Sequence, residues 1–205
     1  MEPTTSSPFK IILGSSSVAR RKILSQMGYQ FTLMTADIDE KSIRKDSPEE
    51  LVMALAEAKA DAIINKVQTT GNQEWVDEPT LLIAADTVVV YEGVIREKPS
   101  SKEEARQFLK DYSGRQAATV GSVLVTNLKT GLRKGGSDRV EIYFNEIPDE
   151  IIEKLVDEGI TLYVAGGLII EHPLIFPYVK EVVGTTDSVM GLPKDLTEKL
   201  LKEVL

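Results

Sequence analysis

Cysteine is absent from this chain of 205 residues, and histidine occurs once, as His172 before Pro173. The first absence excludes disulfides and thiolate chemistry. The second rules out a His-rich zinc site within one chain, and a Ser-His-Asp triad would have to use this one imidazole as its base. No apolar run approaches the ~20 residues that span a bilayer, so no membrane association is expected. Met1–Pro8 has neither a basic n-region nor an apolar h-region. It is read as a frayed segment without a secretion signal, which places the protein in the cytoplasm. The Gly-x4-Gly-Lys-Ser/Thr pattern of Walker-type NTPases is missing too. Basic charge is scarce: 24 Lys and Arg stand against 32 Asp and Glu, a formal net charge of −8. A field of that sign repels duplex nucleic acid, and it repels any polyphosphate. A phosphate ligand would therefore need a local cationic cluster, a divalent metal, or both.

What is present suits a folded enzyme-sized domain. Hydrophobic content of 42% and charged content of 27% are ordinary for a globular chain, and residues 9–205 read as one domain or two fused lobes. The expected elements alternate. Phe9–Leu13 reads as a buried strand, Val18–Met27 as a helix capped by Ser17 and closed by Gly28, and Tyr29–Met34 as a second strand. Pro48–Val67 is a helix with Pro48, Glu49 and Glu50 in its first turn. After a polar loop over Gln68–Thr80, Leu81–Tyr91 is a long apolar strand that turns at Glu92-Gly93 into a short extended piece, Val94–Arg96. Further helices are expected over Ser101–Tyr112, Pro148–Glu158 and Pro193–Leu205. Strands are expected over Ala118–Thr126 and Arg139–Phe144, flanking a loop with Gly131, Gly135 and Gly136. Helices between some strands and hairpins between others give a mixed α/β class.

Four features sit badly with a purely structural role. Ser15-Ser16-Ser17-Val18-Ala19-Arg20-Arg21 puts hydroxyls and two arginines at a helix N-terminus, where the dipole disfavours cations. An anion there would reconcile them, with Ser15, Ser17, the loop amides and Arg20 as a phosphate cradle; the alternative is a capped surface helix with solvated arginines. Lys59 falls on the apolar stripe of Val52, Leu55 and Ile63, so it must snorkel out or meet a negative charge. Asp86 interrupts the apolar run Leu81–Val90 and needs a cation, a metal or several donors, unless it caps a strand end. In Glu97-Lys98-Pro99 the proline favours an extended chain, so one of Glu97 and Lys98 would face a site. Asp37, Asp39 and Glu40 form an acidic cluster that is either a surface loop or a source of oxygen ligands for Mg²⁺.

In order and spacing these pieces resemble the Maf family of nucleotide pyrophosphatases. The resemblance rests on Leu13-Gly-Ser-Ser-Ser-Val-Ala-Arg-Arg-Lys-Ile-Leu24, Ala36-Asp-Ile-Asp-Glu40, Leu55-Ala-Glu-Ala-Lys-Ala60, Ala84-Ala-Asp-Thr-Val-Val89, Glu97-Lys-Pro99, Tyr112-Ser-Gly-Arg115 and Gly191-Leu-Pro193. It implies a fold like that of the inosine triphosphate pyrophosphatases, a long twisted mixed sheet with a cleft between two lobes. It also implies a nucleoside triphosphate substrate, dependence on Mg²⁺ or Mn²⁺, and frequent homodimers. By position, Ser15, Ser17, Arg20, Lys59, Asp86 and Lys98 match the family's active-site residues. Asp86, with Asp39 and Glu40, is then a metal ligand, or Asp86 is the general base. Two departures bear on the base. Val18 and Ala19 stand where the family usually has proline followed by arginine or an aromatic. Val164-Ala-Gly-Gly with Glu171 replaces the Lys-Ala-Gly and glutamine of the pyrimidine branch, and Glu171 looks more like the branch acting on 7-methyl-GTP. Enzymes acting on deaminated purine nucleotides such as inosine triphosphate, and a non-catalytic nucleotide-binding regulator of division, remain alternative readings.

Overall fold

A computed structural model describes residues 7–35, 37–71 and 74–205. The expectation of a frayed N-terminus therefore falls, for residues 1–6, outside the described residues, as does Ala36 of the acidic motif. The opening strand β1 is Lys10–Leu13, with its last three residues buried. Helix α1, Val18–Gln26, starts where Ser17 Oγ accepts the Arg20 N–H at 3.3 Å. It ends at Met27, and Gly28 follows at φ 86°, where a side chain would be strained. The second strand is only two residues, β2 at Thr32–Leu33, both exposed and paired parallel to Ile12 and Leu13. Such a short edge carries little of the periodic pattern that the longer expectation assumed.

Helix α2, Pro48–Thr69, is set by its own first turn: Ser47 Oγ accepts from the Glu50 N–H at 3.2 Å, and Pro48, Glu49 and Glu50 follow. It runs two residues into the expected polar loop. That loop also contains the short helix α3, Glu74–Asp77. Strand β3, Thr80–Tyr91, is buried along its whole length except at Thr87. Residues 92 and 93 turn at φ 47° and 77°, a reversal that leads into β4, Val94–Arg96, antiparallel to β3. Helix α4, Lys102–Tyr112, is capped by Ser101. Strands β5, Gln116–Asn127, and β6, Arg133–Phe144, are neighbours in the sheet. Helix α5, Asp149–Asp157, strand β7, Val179–Val183, helix α6, Thr186–Val189, and helix α7, Lys194–Glu203, complete the regular elements.

These strands form a seven-stranded mixed sheet in the order β2-β1-β3-β5-β6-β7, with β4 on β3. The fold is thus mixed α/β. Gly135 and Gly136, expected in a loop, lie within β6 instead. A Cβ at Gly135 would come 3.0 Å from both Leu124 and Met53, and one at Gly136 2.9 Å from Leu196. Glycine here lets side chains pack onto bare backbone. The sequence carried no sign of β7, because a register shift at Tyr143/Phe144 breaks its alternation. Among the described residues, no helix is long and apolar enough to cross a membrane.

The chain divides into two compact units: Met1–Asp86, Ser122–Ser137 and Gly191–Leu205 make the first, Thr87–Gly121 and Asp138–Met190 the second. In the first, α2 lays Ala56, Ala60, Ile63 and Val67 on Ile12, Leu82, Ala84 and Leu124. In the second, Leu109 and Tyr112 of α4 and Leu155 of α5 pack with Tyr91, Ile142 and Phe144. Full burial of each large side chain contributes about 1.5–3 kcal/mol. Tyr112 meets Tyr91 edge-on at 5.8 Å and stacks on Phe144 at 5.9 Å. Beside them the Arg96 guanidinium lies 4.4 Å from the Tyr91 ring centre and 4.2 Å from that of Phe108, and is paired to Asp111 at 2.5 Å.

Tyr112 also donates its hydroxyl to the Gly166 carbonyl at 2.8 Å, fully out of solvent. Tyr112→Phe keeps the ring packing and leaves that carbonyl without this donor. Urea denaturation should show a loss of about 1–2 kcal/mol with an unchanged m-value.

Candidate active site

The site is built where three elements of the first unit end or pass. The turn after β1 delivers Ser15 and Ser17, the first turn of α1 delivers Arg20, and the apolar stripe of α2 delivers Lys59 toward β3. Lys59 does not snorkel to solvent. Its Nζ bonds Asp86 Oδ1 at 2.5 Å and lies 3.3 Å from Glu40 Oε1. Asp86 is 7% exposed and stands inside β3, not at a strand end. It is a buried anion met by a cation, as its apolar neighbours require.

Arg20 faces the same carboxylates. Its Nε donates to the Gly191 carbonyl at 2.8 Å, and Nη1 reaches Ser15 Oγ at 3.4 Å. Ser15 Oγ in turn accepts the Ser17 N–H at 3.1 Å, which shapes the turn around the helix start. Burial lowers the Arg20 pKa, and the charges of Asp86 and Glu40 push it back up. Arg20 thus tolerates an N-terminal helix position because two carboxylates and a carbonyl surround it. Arg21, one residue on, is exposed.

Burial raises the Asp86 pKa above its ordinary value. The Lys59 ammonium, by charge and hydrogen bond, and Arg20 oppose that rise, while Glu40 adds to it.

Of the acidic cluster, Glu40 is the member that reaches Lys59. Asp37 and Asp39 are exposed, and Asp39 uses its backbone carbonyl to accept the Ser42 hydroxyl at 2.7 Å. Among the described residues, no group of three or more His, Cys, Asp or Glu stands close enough to hold a metal ion. Asp86 and Glu40 share one ammonium, so together they offer two carboxylates. That donor set fits a hard divalent ion which takes its remaining oxygens from water and phosphate.

Lys98 and Glu171 belong to the second unit. Lys98 is exposed, between the half-buried Glu97 and the buried Pro99. The Glu97 carbonyl accepts the Gly166 N–H at 2.9 Å, so this tripeptide is tied to the 165–167 turn that Tyr112 also holds. Glu171 is exposed in the turn before His172. His172 Nδ1 accepts the Leu174 N–H at 3.0 Å, so its Nε2 carries the proton toward Glu158 at 2.8 Å. The sole histidine is thereby used in holding a turn. Ser113 and Gly114 of the Tyr112–Arg115 motif shape the turn from α4 into β5: Ser113 Oγ accepts the Ile147 N–H at 2.7 Å, and Gly114 adopts φ 67°. The contact the sequence reading missed is the Gly191 carbonyl on Arg20; its only signal was the Gly191-Leu-Pro193 motif.

A family model described as "Maf-like protein" matches residues 10–204. The chain belongs to the Maf-like protein family. A 7-methyl-GTP pyrophosphatase of Dictyostelium discoideum is 38% identical over 194 residues, covering 95% of this chain and 96% of that protein. A dTTP/UTP pyrophosphatase of Alkaliphilus metalliredigens is 31% identical, covering 90% of each. A nucleoside triphosphate pyrophosphatase of Salinispora tropica is 29% identical over 96% of this chain and 84% of its own length. These relatives match 90–96% of the chain.

The charge arrangement makes a prediction about pH. Because the folded pKa of Asp86 is raised, its contribution to stability is complete below the ordinary carboxylate range and is lost as pH rises through the elevated value. Lys59→Met removes the main opposing influence and raises that pKa further. In metal-free protein, a ¹³C carboxyl titration should place Asp86 above ordinary aspartates and higher still in the variant. The stability deficit of the variant against wild type should widen as pH rises from the ordinary carboxylate range through the elevated Asp86 pKa.

Proposed function

We infer that this Maf-like protein is a nucleoside triphosphate pyrophosphatase. The observation that carries the reading is the buried Asp86, held by Lys59 beside Arg20 and Glu40 in one unit of the fold. The names of its relatives point the same way. A merely structural ion pair has little need of two cations and two carboxylates at a hydroxyl-rich helix start.

In the proposed reaction water attacks a nucleotide phosphorus, the bond from that phosphorus to the bridging oxygen breaks, and pyrophosphate leaves. Ser15, Ser17, the amides at the start of α1 and Arg20 bind phosphate oxygens. Lys59 and Lys98 neutralise charge that builds on the leaving group, and positioning with charge stabilisation supplies most of the acceleration. Asp86 and Glu40 are the residues that would hold Mg²⁺ or Mn²⁺; Asp39, exposed and outside that pair, is not one of them. When bound, such an ion supplies neutralisation of phosphate charge and a more acidic water. Asp86 serves either as a ligand of the ion or as acceptor of the water's proton, and both roles require its ionised form.

For the base, the most informative residue is Glu171. An ionised carboxylate only accepts hydrogen bonds. Guanine offers it adjacent N1–H and N2–H₂ donors, whereas uracil and thymine offer one N–H flanked by carbonyls. Methylation at N7 adds positive charge that a carboxylate favours. We therefore assign 7-methyl-GTP or a related guanine nucleotide as the preferred substrate, in keeping with the printed name of the 38% identical relative.

A pyrophosphate-release assay with Mg²⁺ over 7-methyl-GTP, GTP, UTP, dTTP and inosine triphosphate tests the whole reading. Asp86→Asn should lower kcat by roughly 10²-fold or more. Arg20→Ala should weaken nucleotide binding and slow turnover, while Arg21→Ala does much less. Equal effects of the two arginine variants, or full turnover in EDTA, would overturn these assignments. Glu171→Gln should shift the kcat/KM ratio of 7-methyl-GTP to UTP toward UTP. A wild type that already prefers UTP or dTTP tenfold removes Glu171 as the selector.

A further inference from the structure

We propose that Gly191 is a positioning residue for Arg20, and that its glycine identity is dictated by the guanidinium lying against it. The proposal rests on the function proposed above for Arg20, but the contact itself does not. The Gly191 carbonyl accepts the Arg20 Nε–H at 2.8 Å across 171 residues of sequence. Its backbone has φ 107°, a conformation L side chains rarely adopt. A Cβ built at Gly191 would lie 2.9 Å from Arg20 Nε, 3.2 Å from Nη2 and 3.3 Å from Cζ. Gly28, Gly93 and Gly131 also have positive φ, yet a Cβ at any of them meets nothing within 4 Å; Gly166 and Gly184 are crowded as well, but by Val89 and Tyr112 and by Val140, not by a guanidinium. Gly191 is buried and its missing side chain is replaced by the arginine fork.

The chemical consequence follows from the shape of arginine. The guanidinium is planar, and its Nε–H and one terminal nitrogen form a side edge distinct from the end edge of the two terminal nitrogens. Gly191 takes the side edge. Holding Nε at a backbone carbonyl, with Ser15 Oγ near Nη1, fixes the plane of the fork before any ligand arrives. A phosphate-binding arginine so held loses less rotamer freedom on binding, and its charge is delivered in one direction. A lysine at position 20 would keep the charge and lose the anchor.

Two measurements test this. In ¹⁵N-labelled wild type without nucleotide or metal, the Arg20 Nε–H, assigned by its loss in Arg20→Lys, should exchange with solvent far more slowly than the Nε–H of exposed Arg21. Exchange at the rate of Arg21 overturns the contact, whatever the catalytic reading. The second is a double-mutant cycle on kcat/KM. Gly191→Ala should lower kcat/KM about 10–100-fold in the wild-type background, mainly through kcat. In the Arg20→Ala background the same change should have less than about a twofold effect. Equal losses in both backgrounds mean that Gly191 acts only on folding, and overturn the positioning role. Absence of pyrophosphate release from wild type on every nucleotide would sink the proposed function and leave the exchange result standing.

Discussion

A carboxylate inside an apolar strand is expensive unless a cation comes to it, and in this protein the cation comes from a helix. Asp86 lies within a strand in which all but one residue is buried, and Lys59 Nζ reaches it at 2.5 Å. Breaking a buried pair by removing one partner costs about 3–5 kcal/mol, because the other charge is left uncompensated. The pair therefore ties the register of α2 to that of β3. Lys59 can reach Asp86 only if Ala56, Ala60 and Ile63 are laid against Ile12, Leu82 and Ala84. Glu40 completes the arrangement by pairing with Lys59 at 3.3 Å, and Arg20 by standing near Asp86 and Glu40. The packing of the first unit and the chemistry of its site depend on one interaction.

Most of this arrangement was legible in the sequence for a simple reason: the residues violate local rules. A lysine on an apolar stripe, an aspartate in an apolar strand and arginines at a helix N-terminus each demand a partner, and Asp86 is what Lys59 and Arg20 both meet. The helices with serine caps, α1, α2 and α4, were legible from the same local logic. What was not legible lacks local cause. Gly135 and Gly136 read as loop because glycine usually marks one, but here they make room for Leu124, Met53 and Leu196, contacts formed only in the folded chain. Strand β7 exists because β6 offers it an edge, and a bulge erases its alternation. The Gly191 carbonyl is a backbone atom, invisible to any reading of side chains.

Taken over the whole sequence, a net charge of −8 opposes a polyphosphate substrate. Locally the balance is different. Arg20 and Lys59 bring two positive charges, and Asp86 and Glu40 bring two negative ones, so the group is neutral as it stands. Within this group no unpaired positive excess is left to collect unrelated anions.

That neutrality gives binding the form of an exchange of partners. A nucleotide arriving with its divalent ion is itself an ion pair. Under the proposed function, Lys59 would give up carboxylate for phosphate, Arg20 would add phosphate to its Gly191 and Ser15 partners, and Asp86 and Glu40 would take the ion in place of ammonium. The carboxylates and the cations of the group would then each meet an opposite charge. Either half arriving alone would leave like charges facing one another: phosphate against carboxylate, or the ion against ammonium. Under that reading the site would favour the complete metal–nucleotide complex over free nucleotide or free ion. It would do so without any moving lid, through the pairing of its own charges.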